Sequence, residues 1–122
     1  MHWNVGRARI TAIAEQPLRD IEGLIRKARG EELDAISWLS PHFRDADGKM
    51  RGVIQMFVVE LNGATVIVDT CIGDGKNVPV DAHAHLAHMG LMGKFRDNGF
   101  APEQVDYVLC THMHFDHVGL NT

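Results

Sequence analysis

Thr111-His112-Met113-His114-Phe115-Asp116-His117 gathers three histidines and an aspartate within six residues. Imidazole nitrogens and carboxylate oxygens are good ligands for Zn²⁺ and related divalent ions. In an extended loop His112 and His114 project to one side, because side chains alternate. Asp116 and His117 are adjacent and are expected to point apart, so one ion cannot easily take all four. The economical arrangement is two ions, one on His112 and His114 and one on Asp116 and His117. Two such ions can share a hydroxide and stabilise the charge that develops on an attacked group. The bland alternative is a solvated histidine-rich loop.

The elements around the cluster argue against that alternative. Gly52 to Leu61 (GVIQMFVVEL) is rich in Val, Ile and Phe and reads as a strand. Asn62-Gly63 is the favoured pair for a tight hairpin. Ala64 to Thr70 (ATVIVDT) is the returning strand, and its near-continuous apolar run predicts burial on both faces. A helix is expected within His85 to Asn98, carrying Leu91 and Phe95, with Gly99 as its C-terminal cap. Pro102-Glu103 opens a turn, and Val105 to Cys110 (VDYVLC) is the next strand. Strand, helix, strand is a βαβ unit, so the two strands are parallel and end at the same sheet edge. Asp69 ends the first and His112 follows the second. Sites in α/β sheets gather at such edges.

Upstream, Arg7 to Ala14 reads as a strand. Pro17 suits a first helical position, with Leu18, Ile21, Ile25 and Ala28 following at helical spacing. Leu33, Ile36 and Leu39 suggest a second short helix, and Asp45-Ala46-Asp47-Gly48 a turn. Trp3, Trp38 and Phe43 are expected in the core or a lid, and Met89 and Met92 in the core. His83, His85 and His88 read as a surface or loop cluster.

At 122 residues one domain is the prior, and 45% apolar content supports an ordinary core. A net charge of −4 without a Lys/Arg run disfavours nucleic acid and anionic membranes as partners. No segment approaches the roughly 20 apolar residues needed to span a bilayer. Cys71 and Cys110 form no C-x-x-C pair and read as packed thiols, near in space, in a reducing compartment. A cytoplasmic protein acting on a small molecule is the expectation.

Thr111-His112-Met113-His114-Phe115-Asp116-His117-Val118-Gly119 resembles the T-H-x-H-x-D-H-x-G signature of the metallo-β-lactamase superfamily. Val68-Asp69-Thr70, after a hairpin, resembles that superfamily's earlier acidic motif. With Cys71-Ile72-Gly73-Asp74-Gly75-Lys76 alongside, the match is more similar to lactonase and organophosphate-hydrolase types than to antibiotic-degrading enzymes. The resemblance implies an α/β fold, the N-terminal half of an αβ/βα sandwich with a mixed β-sheet and flanking helices. It implies a binuclear hydrolase with two divalent ions, Zn²⁺ first and Mn, Fe or Co as alternatives. His112 and His114 would hold one, Asp116 and His117 the other. Asp116 would also hold the attacking water. Asp69 would orient a ligand or the motif loop, or simply cap backbone N–H groups at its strand end.

Family members add a third histidine, a bridging aspartate and a further histidine from downstream. The match covers about the first half of such a protein, so residues 1–122 are expected to be a partial domain, inactive alone, with its C-terminal half absent. The reaction implied is hydroxide attack on an ester, lactone, amide or phosphoester. Two alternatives stand beside it: an iron-dependent redox member of the superfamily, and a catalytically incomplete metal-binding fragment that self-associates through an uncovered sheet face.

Overall fold

The structure is a computed structural model that describes residues 1–19, 21, 25, 33–75 and 90–121. It divides into two compact units, residues 1–16 with 54–122, and residues 17–53. The strands are β1 (His2–Val5), β2 (Ala8–Arg19), β3 (Arg51–Leu61), β4 (Ala64–Val68) and β5 (Tyr107–Leu109), and the helices are α1 (Leu91–Asp97) and α2 (Phe115–Val118). The strands form one sheet in the order β1-β2-β3-β4-β5.

The first unit carries the site. Asn62 and Gly63 both take positive φ, 53° and 84°, so the β3–β4 hairpin turns tightly and pairs Phe57 with Val68 and Val59 with Val66. β4 and β5 are parallel, with Val66 opposite Tyr107 and Val68 opposite Leu109. That is the expected βαβ order, with α1 in the crossover. Gly99, at φ 86°, follows the last turn of α1 and donates its N–H to Arg96 O. Asp74 supplies the other end of α1, its two carboxylate oxygens accepting the Leu91 and Met92 N–H groups, both at 3.0 Å.

Alternation sorts the strands into two faces. Ile13, Ile54, Met56, Val58 and Ile67 are buried, and so are Leu91 and Phe95 of α1. Met56, Ile67 and Phe95 line one apolar cavity, which places the helix over this face. On the opposite face Phe57, Val59, Val66 and Val68 are only half-buried, and Tyr107 and Leu109 are exposed. The expectation that β4 is buried on both faces is therefore corrected: only its Ile67 is buried.

Other expectations change too. β1 was not anticipated. It pairs with β2 through a two-residue Gly6-Arg7 loop, Val5 opposite Ala8, with Gly6 at φ 60°. Pro17 and Leu18 continue β2 and do not start a helix, while most of the stretch proposed for that helix lies outside the described residues. Trp3, Trp38 and Phe43 are exposed, not core. Trp3 stands 6.5 Å from Phe57 between ring centroids. His83, His85, His88 and Met89 lie outside the described residues.

The second unit holds a one-turn 3₁₀ helix, Ser37–Leu39, where a short helix was expected. Asp45 makes the predicted turn, its Oδ1 accepting the N–H groups of Asp47 and Lys49 at 3.0 and 2.9 Å. Trp38 packs edge-on against Phe43. No helix among the described residues is long and apolar enough to cross a membrane.

Candidate metal centre at the ends of two parallel strands

Parallel pairing brings the ends of β4 and β5 together. The Asp69 N–H extends the ladder to Leu109 O at 2.8 Å, and the chain then curls, with positive φ at Asp69 (61°) and Cys71 (56°). The curl turns the Asp69 carboxylate under the motif loop. Its Oδ1 accepts the Thr111 N–H at 2.7 Å, and its Oδ2 lies 2.8 Å from both the Thr111 hydroxyl and His117 Nδ1. Burial alone would raise this carboxyl. The Thr111 N–H, His117 and the Thr111 hydroxyl together outweigh burial and hold it below its ordinary value of 3.8. Against an ionised carboxylate, His117 Nδ1 carries the ring proton, which leaves Nε2 with its lone pair free.

The motif itself is in two conformations. Thr111 to His114 is irregular chain, and Phe115 to Val118 winds into α2, with His114 as its N-cap residue. The four ligand-type side chains come as two pairs. His112 Nε2 is 3.1 Å from His114 Nδ1, and Asp116 Oδ2 is 3.3 Å from His117 Nε2. The expectation that adjacent Asp116 and His117 point apart is corrected. It assumed extended chain, whereas consecutive residues on a helix stand about 100° apart and long side chains there can converge. The pairs also touch, since the His112 and His117 ring centroids are 3.9 Å apart. His112 and His114 are exposed, and Asp116 and His117 half-buried. Among the described residues no group of three or more His, Cys, Asp or Glu could hold a single metal ion.

Thr111 has a larger part than its place in the motif suggested. Its hydroxyl, donating to Asp69 Oδ2, can accept from His112 Nδ1 at 3.1 Å. With Nδ1 donating there, the nitrogen left to face His114 with a lone pair is Nε2.

The end of α2 is tied down by the turn after β4. The Thr70 N–H donates to His117 O at 2.9 Å, the Thr70 hydroxyl donates to Asn121 Oδ1 at 2.9 Å, and the Gly119 N–H donates to Cys71 O at 2.8 Å. A Cβ on residue 119 would overlap the Ile72 carbonyl. Gly119→Ala is therefore expected to destabilise the protein by about 1–3 kcal/mol through overpacking. A urea midpoint equal to the wild type would show that the turn yields freely.

Cys71 is buried, and Cys110 is half-buried with its Sγ accepting from Asn121 Nδ2 at 2.9 Å; both thiols are free. Burial, then the charges of Glu15, Asp69 and Asp116, push the Cys71 thiol far up, so it packs as a neutral group and is no nucleophile.

Glu15 on β2 was not singled out in the sequence. Its carboxylate, 1% exposed, accepts the N–H groups of Ile72 (3.0 Å) and Gly73 (2.8 Å). Burial raises its pKa above the ordinary 4.5, and Asp74 adds to the rise; the two N–H groups and Lys94 pull the other way without cancelling it. A folded pKa above the unfolded one means that the stabilising contribution is complete below the unfolded value and is lost as pH rises through the folded value. In metal-free full-length protein, the wild type should therefore lose stability relative to Glu15→Gln as pH rises from about 4 toward 7. Urea melts across that range check this, and a pH-independent difference would contradict it.

Residues 50–122 match the family model of the metallo-beta-lactamase superfamily. The chain belongs to the metallo-β-lactamase superfamily. No curated protein matches it significantly. Among solved structures it is similar to AidC, a dizinc quorum-quenching lactonase in complex with a product, N-hexnoyl-L-homoserine, at 22% identity and TM-score 0.64, covering 98% of this chain and 37% of that one. It is also similar to the hydrolase AbOPH of the beta-lactamase superfamily, at 20% identity and TM-score 0.66, covering 96% and 37%. A probable metal-dependent hydrolase from Staphylococcus aureus gives 19% identity and TM-score 0.68, covering 96% and 42%. At these identities the likeness shows the fold: the mixed sheet and its helices are part of the metallo-β-lactamase αβ/βα fold. The chain spans 37–42% of the length of these structures. Asp69, Thr111 and all four ligand-type residues lie in the segment that matches the superfamily model, and Glu15 lies outside it.

Proposed function

We propose that this chain contributes half of a metal-dependent hydrolase centre, in which His112 and His114 hold one divalent ion and Asp116 and His117 a second. The observation that carries the reading is the pairing. Separations of 3.1 and 3.3 Å between donor atoms suit two ligands sharing one tetrahedral Zn²⁺, where metal–nitrogen bonds are about 2.0–2.1 Å. The donor set, three imidazoles and one carboxylate, is the chemistry such ions prefer. Each pair leaves further coordination positions to donors outside the described residues. Superfamily membership and the dizinc centre named for AidC support two ions.

Bound there, two divalent ions acidify a water and polarise the attacked oxygen. The protein's own groups do the rest. Asp69 and Thr111 set the tautomers of His117 and His112, so that lone pairs face inward. Asp116, at the start of α2 and half-buried, is the carboxylate available to hold the attacking water and take its proton. The substrate class proposed is a small ester, lactone, amide or phosphoester.

The test is metal analysis of the full-length protein by plasma mass spectrometry, together with a panel of those four substrate classes. Two zinc-type ions and hydrolysis of one class are expected. Iron with dioxygen uptake would move the protein to the redox branch, and absence of metal would end the reading.

A further inference from the structure

Glu15 lies outside the motif, and the proposed chemistry does not use it. A buried carboxylate is costly unless its oxygens are matched by donors. Here both are matched by one short stretch of backbone. Oε2 accepts from Ile72 and Oε1 from Gly73. Consecutive N–H groups converge in this way where the chain is curled, and Cys71 (φ 56°) and Gly73 (φ 81°) supply the curl. The arrangement is an anion-holding nest whose anion is the protein's own side chain.

The turn so held is the seat of α2. Cys71 O accepts the Gly119 N–H, and the Ile72 carbonyl occupies the space beside Gly119. Leu120 packs over Gly73. Lys94 of α1 braces the other side of Glu15, its Nζ donating to Glu15 O at 2.6 Å and Ala14 O at 3.3 Å. A continuous set of contacts therefore runs from β2 through the Cys71–Gly73 turn to the end of α2.

The two ligand pairs depend on this set unequally. Asp116 and His117 stand on α2, one or two residues before the Val118–Gly119 end that rests on the turn. His112 and His114 precede α2, on the segment leaving β5, and are tied through Thr111 to Asp69; His117 meets Asp69 too, at Nδ1, but the backbone that carries it and Asp116 rests on the turn. Loss of the Glu15 carboxylate frees the turn, and the first element it releases is α2.

We propose that Glu15 is a positioning residue for the Asp116/His117 pair, acting through the Cys71–Gly73 turn. The proposal rests on the reading of those two residues as ligands of one of two ions.

Zinc titration of the full-length protein against a chromogenic chelator tests it. The wild type should take up two equivalents. In Glu15→Gln one equivalent should weaken about tenfold, the scale of an orienting contact beyond the ligands themselves, while the other stays at its wild-type affinity. Lys94→Met loosens the same strand and keeps the carboxylate, so it should show the same asymmetry at about threefold, and it serves where Glu15→Gln does not fold. Val58→Ala, a core substitution whose strand partner is Ile67, four positions before Cys71, should leave both equivalents unchanged. Equal weakening of both equivalents in the Glu15 and Lys94 variants, no weakening in either, or the same asymmetry in Val58→Ala would overturn the proposal and leave the metal reading intact. A wild type that binds no zinc would overturn both.

Discussion

Replacing Asp116 with alanine in the full-length protein is expected to lower hydrolytic turnover by about 10²–10⁴-fold, the range for loss of a positioned proton acceptor, while the fold persists. Two features make the effect large. Asp116 is the carboxylate of the four ligand-type residues, so no neighbour in the cluster can replace its charge. It is also paired, at 3.3 Å from His117 Nε2, so on the proposed assignment its loss removes half of one metal pair as well as the proton acceptor. Two features protect the fold. The side chain is 25% exposed and packs in no core. Its place in the first turn of a four-residue helix is worth only about 0.3–1 kcal/mol. Circular dichroism and urea melts should therefore match the wild type closely. Asp116→Asn separates the two roles, because an amide oxygen can still approach a cation but cannot take a proton. Near-wild-type turnover in Asp116→Ala would remove Asp116 from the chemistry.

The parts of this arrangement that were legible in the sequence are those that local rules control. Asn62-Gly63 fixes a hairpin because both residues accept positive φ, and the βαβ order fixes a parallel pair because crossovers have one hand. Together they predict that Asp69 and His112 meet at one sheet edge. The structure places the Thr111 N–H 2.7 Å from Asp69, across 42 positions of sequence. Gly6-Arg7 carried the same kind of signal, glycine first in a two-residue loop, but His2–Val5 is too short and too polar to stand out as a strand. Pro17 was misplaced because proline suits a helix start and a poorly paired strand equally. β1 pairs with β2 only from Ala8 to Thr11, so among the described residues Pro17 lies where β2 has no partner on that side.

What stayed hidden in the site is what geometry decides after the chain has folded. Spacing could not show that Asp116 and His117 converge, because that follows from α2 being helical while His112 to His114 is not. Glu15 was hidden for another reason. It lies one residue past Ala14, where the strand read from the sequence stops, and its partners, Ile72 and Gly73, bind through backbone that carries no side-chain signature. One signal was available. Thr11, Ile13 and Glu15 share a parity, Ile13 marks it as the core face, and all three are buried. An acid on the core side of a strand needs donors, and donors had to come from a loop.

Asp69→Asn should weaken binding of one zinc equivalent about 10–100-fold and destabilise the metal-free protein by about 1–3 kcal/mol. The substitution keeps the shape of the side chain and changes the direction of one hydrogen bond. Asn can still accept the Thr111 N–H through its oxygen. Its NH₂ group then faces His117 Nδ1, 2.8 Å from the wild-type Oδ2, and a donor there requires Nδ1 to be the lone-pair nitrogen. The ring proton moves to Nε2, which faces Asp116 at 3.3 Å. His117 then donates to Asp116 where the proposed site needs a lone pair, and the pair becomes an ordinary hydrogen bond. Long-range proton–nitrogen correlation spectra of the metal-free protein read the tautomer directly: Nδ1–H in the wild type and Nε2–H in the variant. The pH dependence follows from the depressed Asp69 carboxyl. A folded pKa below the unfolded 3.8 stabilises the protein above that value, and the contribution is lost as pH falls through the folded one. The stability gap between wild type and Asp69→Asn should be flat near neutrality and close as pH drops below about 4. An Nδ1–H signal that survives in Asp69→Asn, with zinc affinity unchanged, would show that Asp69 only caps the Thr111 backbone and leaves His117 to orient itself.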